Sequence, residues 1–128
     1  MKILLCIGLG GFFGAMARYG MTVGVQHWVG GGRLGDFPVG TLAANLLGCL
    51  VLGFIGHLLS ERFELAAEIR FALTVGFLGA FTTFSTYAYE TLALAREGEQ
   101  LFAWLNLLVS NALGLFAVWV GYRLGGLV

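Results

Sequence analysis

Four long apolar runs constrain this chain more than any other feature: about residues 3–25, 39–59, 71–95 and 101–124. A helix needs about 20 mainly apolar residues to cross the hydrocarbon core of a bilayer, and each run is long enough. The connections are short: "QHWVGGGRLGDFP", "SERFELAAEIR" and "REGEQ". Pro38 suits the opening turn of the second helix, where its missing N–H has no partner to lose. The expected fold is an all-α membrane protein, one domain of four transmembrane helices over residues 1–128.

Composition points the same way. Of 128 residues, 59% are hydrophobic and 11% charged, whereas a soluble domain is about 25% charged. No soluble core of this size could bury so much apolar surface. Trp28, Trp104, Trp119 and Tyr122 fall near span ends, where amphipathic rings favour the headgroup region. His27 and His57 read as interfacial for the same reason. Cys6 and Cys49 sit inside apolar runs and outside any CxxC pattern, so they read as small buried hydrophobes. Lys2 followed by "ILLCIGLG" imitates a signal peptide, but the run continues past a signal core and reads as a retained span.

Several function classes drop out. Seven basic and seven acidic residues cancel, leaving no basic stripe for nucleic acid. No GxxxxGK[ST] motif occurs, and the connections leave no room for a soluble motor domain. The chain reads as no enzyme; activity would belong to the helices and whatever they pair with.

Charge placement leaves orientation open. Lys2, Arg62, Arg70 and Arg123 lie on one side; Arg33, Arg96 and, within the first span, Arg18 lie toward the other. Such a balance gives the positive-inside rule little to act on. Either a short chain has few charges to count, or copies insert both ways and pair antiparallel. The chain has no convincing internal repeat, so the two-fold symmetry that secondary transporters reach by inverted repeats would need two chains.

Small residues recur at helical spacing: Gly10, Gly14, Gly20 and Gly24 in the first span, and Gly40, Ala44, Gly48 and Gly53 in the second. They let backbones approach closely in lipid and point to a tight bundle or oligomer. Polar residues at depth need a partner or water. Asn45 lies one turn after Thr41. Asn106, Ser110 and Gly114 share one stripe of the fourth helix, with Asn111 beside it. Arg18 lies about five residues from its span end, free to snorkel or to face a water-filled vestibule. Asn and Ser can also serve plain interhelical hydrogen bonding.

Glu90 is the only acid well inside a span, and the first helix has none. A proton-coupled cation exporter of this size would need a carboxylate in its cavity. Amides, hydroxyls and ring edges instead suit an anion. The third run concentrates such groups in "GFLGAFTTFSTY", where Thr82, Thr83, Ser85 and Thr86 crowd together. Phe77, Phe81, Phe84 and Tyr87 are spaced 4, 3 and 3, the spacing of one helical stripe, and Glu90 continues it. The hydroxyls offer the backbone alternative partners, and Gly79 lowers helix propensity just before them. A break here would free carbonyls, tolerated at depth only when buried in protein, facing water or coordinating an ion.

With "GGFFGAMARYG", "GTLAANLLG" and "GFLGAFTTFSTYAYE", the chain resembles the Fluc (CrcB) family of fluoride channels over nearly its whole length. The resemblance implies an antiparallel dual-topology homodimer with two pores. It implies a third helix broken in mid-membrane. Phe84 and Tyr87 match the two rings whose edges face fluoride, though the family usually has Phe at the second position. Asn45 matches a pore asparagine, and Thr83, Ser85 and Thr86 are hydroxyls of the same motif. Asn106 and Ser110 correspond to a fourth-helix polar track. Gly79 and Thr82 match positions whose backbone carbonyls hold a structural sodium ion. Arg18 resembles a vestibule arginine, and Thr41 and Glu90 look like members of a polar track near one pore end. The reading is a passive fluoride-selective channel in the bacterial cytoplasmic (inner) membrane that relieves fluoride toxicity. Its rivals are a small multidrug-type proton-coupled exporter and a non-transporting assembly protein.

Overall fold

The computed structural model describes residues 1–29, 37–61 and 65–128. Arg33 and Arg62 of the charge comparison lie outside the described residues. Helix α1 spans Lys2–Val29 and α2 spans Val39–Glu61. The third span is composite: α3 (Ala67–Phe71), a π-helical segment (Ala72–Leu78), α4 (Gly79–Phe81) and α5 (Phe84–Arg96). Helix α6 covers Gln100–Gly125. Among the described residues, four helical stretches are long and apolar enough to cross a membrane, and no strand occurs. The chain is a multi-pass membrane protein.

The turn between the last two spans shows how the sequence ends a helix. Gly98 has φ +88°, a conformation that favours glycine. The Glu99 N–H donates to the Leu94 carbonyl at 2.9 Å and the Gly98 N–H to that of Ala95 at 3.4 Å. This Schellman closure satisfies the last carbonyls of α5 and lets α6 fold back beside it.

Two seams organise the bundle. In one, α1 lies against the first half of the third span; in the other, α2 lies against α6. Both depend on glycine. A Cβ on Gly10 or Gly14 would collide with the carbonyl oxygen of Ala72 or Phe77. A Cβ on Gly53 or Gly121 would likewise strike the carbonyl of Val118 or Leu50. Gly20 and Gly24, spaced just like Gly10 and Gly14, have nothing within 4 Å of an added Cβ.

The third span breaks at two residues. Thr82 (φ −86°, ψ 155°) and Thr83 (φ −149°, ψ 115°) are extended. Gly79 itself stays helical (φ −63°, ψ −34°), so the break comes three residues after it. This corrects the single aromatic stripe expected from spacing. Two extended residues interrupt the helical rotation, so the four rings divide into pairs. Phe77 and Phe81 stack with centroids 6.0 Å apart and planes 7° from parallel. Phe84 and Tyr87 form a separate tilted pair at 5.5 Å. Phe81 is buried and Phe84 exposed.

Candidate functional site

The break is made by redirecting particular hydrogen bonds. In an unbroken helix the Thr83 N–H would donate to the Gly79 carbonyl, four residues back. Here it donates to Asn45 Oδ1 at 2.8 Å. The Thr86 N–H would donate to the Thr82 carbonyl; here it donates to Thr83 Oγ1 at 3.2 Å. Thr83 thereby caps α5, the usual role of a hydroxyl at a helix start. The carbonyls of Gly79 and Thr82 both lose their helical donors.

Asn45 completes the clamp, its Nδ2 donating to the Thr83 carbonyl at 3.1 Å. One side chain of α2 thus meets both backbone polar groups of Thr83, which would otherwise be costly in lipid. Gly48, one turn below Asn45, makes room: a Cβ there would collide with Thr82 Cγ2. The Thr82 hydroxyl folds back onto the Leu78 carbonyl at 3.0 Å.

Beside the break lies a cavity of about 370 Å³. Among the residues expected to form a site, Asn45, Gly79, Thr82, Thr83, Phe84, Tyr87 and Ser110 line it. Three spans therefore converge there. Asn106 stands behind the cavity, 2% exposed. Its Nδ2 donates to Thr91 Oγ1 at 2.8 Å, and its Oδ1 accepts from Ser110 Oγ at 3.1 Å. Thr91 Oγ1 donates in turn to the Tyr87 carbonyl at 2.8 Å. Ser110, Asn106, Thr91 and Tyr87 thus form one hydrogen-bonded chain joining α6 to α5.

Ser85 and Thr86 are exposed and do not line the cavity. Their hydroxyls gather around Thr83 Oγ1, Ser85 at 3.3 Å and Thr86 at 3.0 Å. Thr41 and Glu90 sit apart as a pair, Thr41 Oγ1 donating to Glu90 Oε1 at 2.7 Å. Glu90 Oε2 is buried with no partner among the described residues. Arg18 is half-buried on α1, away from this cluster.

Two participants were not among the expected site residues. Thr91 links Asn106 to α5, and its only signal in sequence is a hydroxyl one turn after Tyr87. Asn111, seen beside the fourth-helix stripe, donates to the Tyr87 hydroxyl at 2.8 Å. Among the described residues, no group of His, Cys, Asp and Glu could hold a metal ion. Hard cations also take backbone carbonyl oxygens, such as those freed at Gly79 and Thr82.

The arrangement combines amide and hydroxyl donors, ring edges and released carbonyls in a membrane-spanning chain. Comparison with known proteins agrees with its character. The family model described as "CrcB-like protein, Camphor Resistance (CrcB)" matches residues 5–122. A Methylococcus capsulatus protein called fluoride-specific ion channel FluC is 52% identical over 118 residues. That alignment covers 92% of this chain but 50% of the relative, so the chain spans about half its length. Proteins of the same name from Hydrogenovibrio crunogenus and Nitratidesulfovibrio vulgaris are 46% and 40% identical. Those alignments cover 95% and 100% of this chain, and 89% and 100% of the relatives.

Proposed function

The chain belongs to the CrcB family, and on that premise we propose that it is a passive fluoride-selective channel rather than an enzyme or a pump. The observation that carries the reading is the meeting of Asn45, Phe84, Tyr87 and Ser110 at one cavity beside a broken span. Fluoride is small and strongly hydrated. A path for it must replace bound water with donors, yet hold the ion weakly enough to release it. Amide N–H, hydroxyl O–H and ring edges do this without a fixed cation in the path.

The working unit is an antiparallel homodimer with two pores. Phe84 is 77% exposed in the single chain, beside the polar Ser85 and Thr86. Polar groups in a span need cover from protein or water, and a second copy would supply it. The Gly79 and Thr82 carbonyls, stripped of their helical donors, fit a sodium ion shared with the same atoms of the second chain. Such an ion would fasten the two breaks together. Arg18 lies at the vestibule, and the Thr41–Glu90 pair near a pore end. The absence of an acid from α1 disfavours proton-coupled export.

The channel belongs in the cytoplasmic (inner) membrane of a bacterium. Hydrogen fluoride crosses as the neutral acid and ionises inside, so a downhill anion leak suffices to clear it. Purified protein in liposomes, with voltage clamped by a potassium ionophore, should release fluoride and retain chloride. Equal release of both ions, or of neither, refutes the channel reading.

A further inference from the structure

Asn111 orients a donor that the sequence pattern alone does not place. Its Nδ2 lies 2.6 Å from the Leu107 carbonyl oxygen and 2.8 Å from Tyr87 Oη. A carbonyl only accepts, so Leu107 decides which end of the Asn111 amide faces it. The amide nitrogen carries two hydrogens, and these two contacts use both. Tyr87 Oη is therefore an acceptor toward Asn111, and the phenol retains a proton of its own. No second partner for Oη is found among the described residues.

That proton has a place to go. Tyr87 and Asn111 line the same cavity as Asn45, Thr83, Phe84 and Ser110. The Tyr87 ring also touches that of Phe84, with centroids 5.5 Å apart. Tyr87 is buried as a residue, and the bond from Asn111 occupies one acceptor position on its oxygen, which biases where the remaining O–H can point. We propose that Asn111 is a positioning residue, holding Tyr87 so that its phenolic O–H donates into the cavity to the permeating anion. The inference rests on the fluoride-channel reading and adds to it a hydroxyl that a phenylalanine would lack. An O–H bonded to a small anion is charge-assisted and stronger than a neutral pair.

The test is a comparison of four proteins in planar bilayers: wild type, Tyr87→Phe, Asn111→Leu and the double variant. Each is read as the fluoride concentration giving half-maximal current. Tyr87→Phe should raise that concentration about tenfold, the loss expected for one bond to a charged group. Asn111→Leu should raise it by a similar factor while Tyr87 is present, but by less than about twofold in Tyr87→Phe. A merely structural Asn111 would act equally in both backgrounds, and that additive result overturns the inference. A Tyr87→Phe current like the wild type overturns it too. Should Asn111→Leu fail to assemble, Asn111→Ala adds no bulk at this exposed position and carries the same comparison. A wild type that conducts no fluoride defeats the channel reading and this inference together. A conducting wild type with additive variants defeats the inference alone.

Discussion

The two halves of the third span are held in opposite ways. Before the break, the π-helical segment and α4 lie against α1 backbone to backbone, with Gly10 and Gly14 under the Ala72 and Phe77 carbonyls. After it, α5 packs on α6 and is tied by polar side chains: Asn45 to its capping residue Thr83, Thr41 to Glu90, Asn106 to Thr91 and Asn111 to Tyr87. Lipid tails are as apolar as leucine, so helices in a bilayer associate by close packing or by hydrogen bonds. This span relies on close glycine packing before its break and adds interhelical hydrogen bonds after it. The packed half is an anchor. The polar half carries the groups that line the cavity, and its position depends on a few named bonds.

The sharpest way to break that contrast is at the anchor. Gly14→Val would drive a branched side chain into the Phe77 backbone, which has no flexible end to yield. Overpacking usually costs about 1–3 kcal/mol, and a rigid backbone contact belongs at or above the top of that range. The variant should fail to elute as folded protein in detergent, or should melt far below wild type. Gly24→Ala is the matched control. Nothing lies within 4 Å of its added Cβ, so within the chain it should cost less than about 0.5 kcal/mol. Equal melting of all three proteins would remove the seam as the anchor.

The polar half should yield at Asn45. Asn45→Leu leaves both the N–H and the carbonyl of Thr83 without their partner. Each unmet buried group costs about 1–3 kcal/mol, so stability should fall by several kcal/mol while the α1 seam persists. Fluoride release from liposomes should be lost even where protein still folds. Wild-type release with a lowered melting temperature would confine Asn45 to structure.

How much of this could be read in the sequence differs between the halves. Apolar length alone places four spans, because a bilayer sets the length a helix must have. The break was legible as a possibility from Gly79 and the crowded hydroxyls, since such side chains compete for backbone partners. Its region was legible too, but not that Thr82 and Thr83 are the two extended residues. Counting rings at helical spacing assumes an uninterrupted rotation, and the extended Thr82 and Thr83 cancel it. Gly10/Gly14 and Gly20/Gly24 read identically in sequence, yet only the first pair meets another helix. The spacing of Asn106 and Ser110 gives a shared face but not its partner. Thr91 and Asn111 acquire their roles only once α5 and α6 are laid side by side.

Phe84 offers the smallest effect on stability. It is 77% exposed in the single chain, and its neighbour Tyr87 has a second tie in the hydrogen bond from Asn111. Within the chain, Phe84→Ile should therefore change stability little, by about 0.5 kcal/mol or less. It should nonetheless slow fluoride release severely, because an aliphatic side chain has no positive ring edge to present to an anion. Measuring melting and release on the same preparation separates the two roles. A loss of stability as large as that of Asn45→Leu would assign Phe84 to packing. Release at the wild-type rate would take its ring out of the path. A stable protein that no longer conducts would show that an exposed ring at the break serves the ion and not the fold.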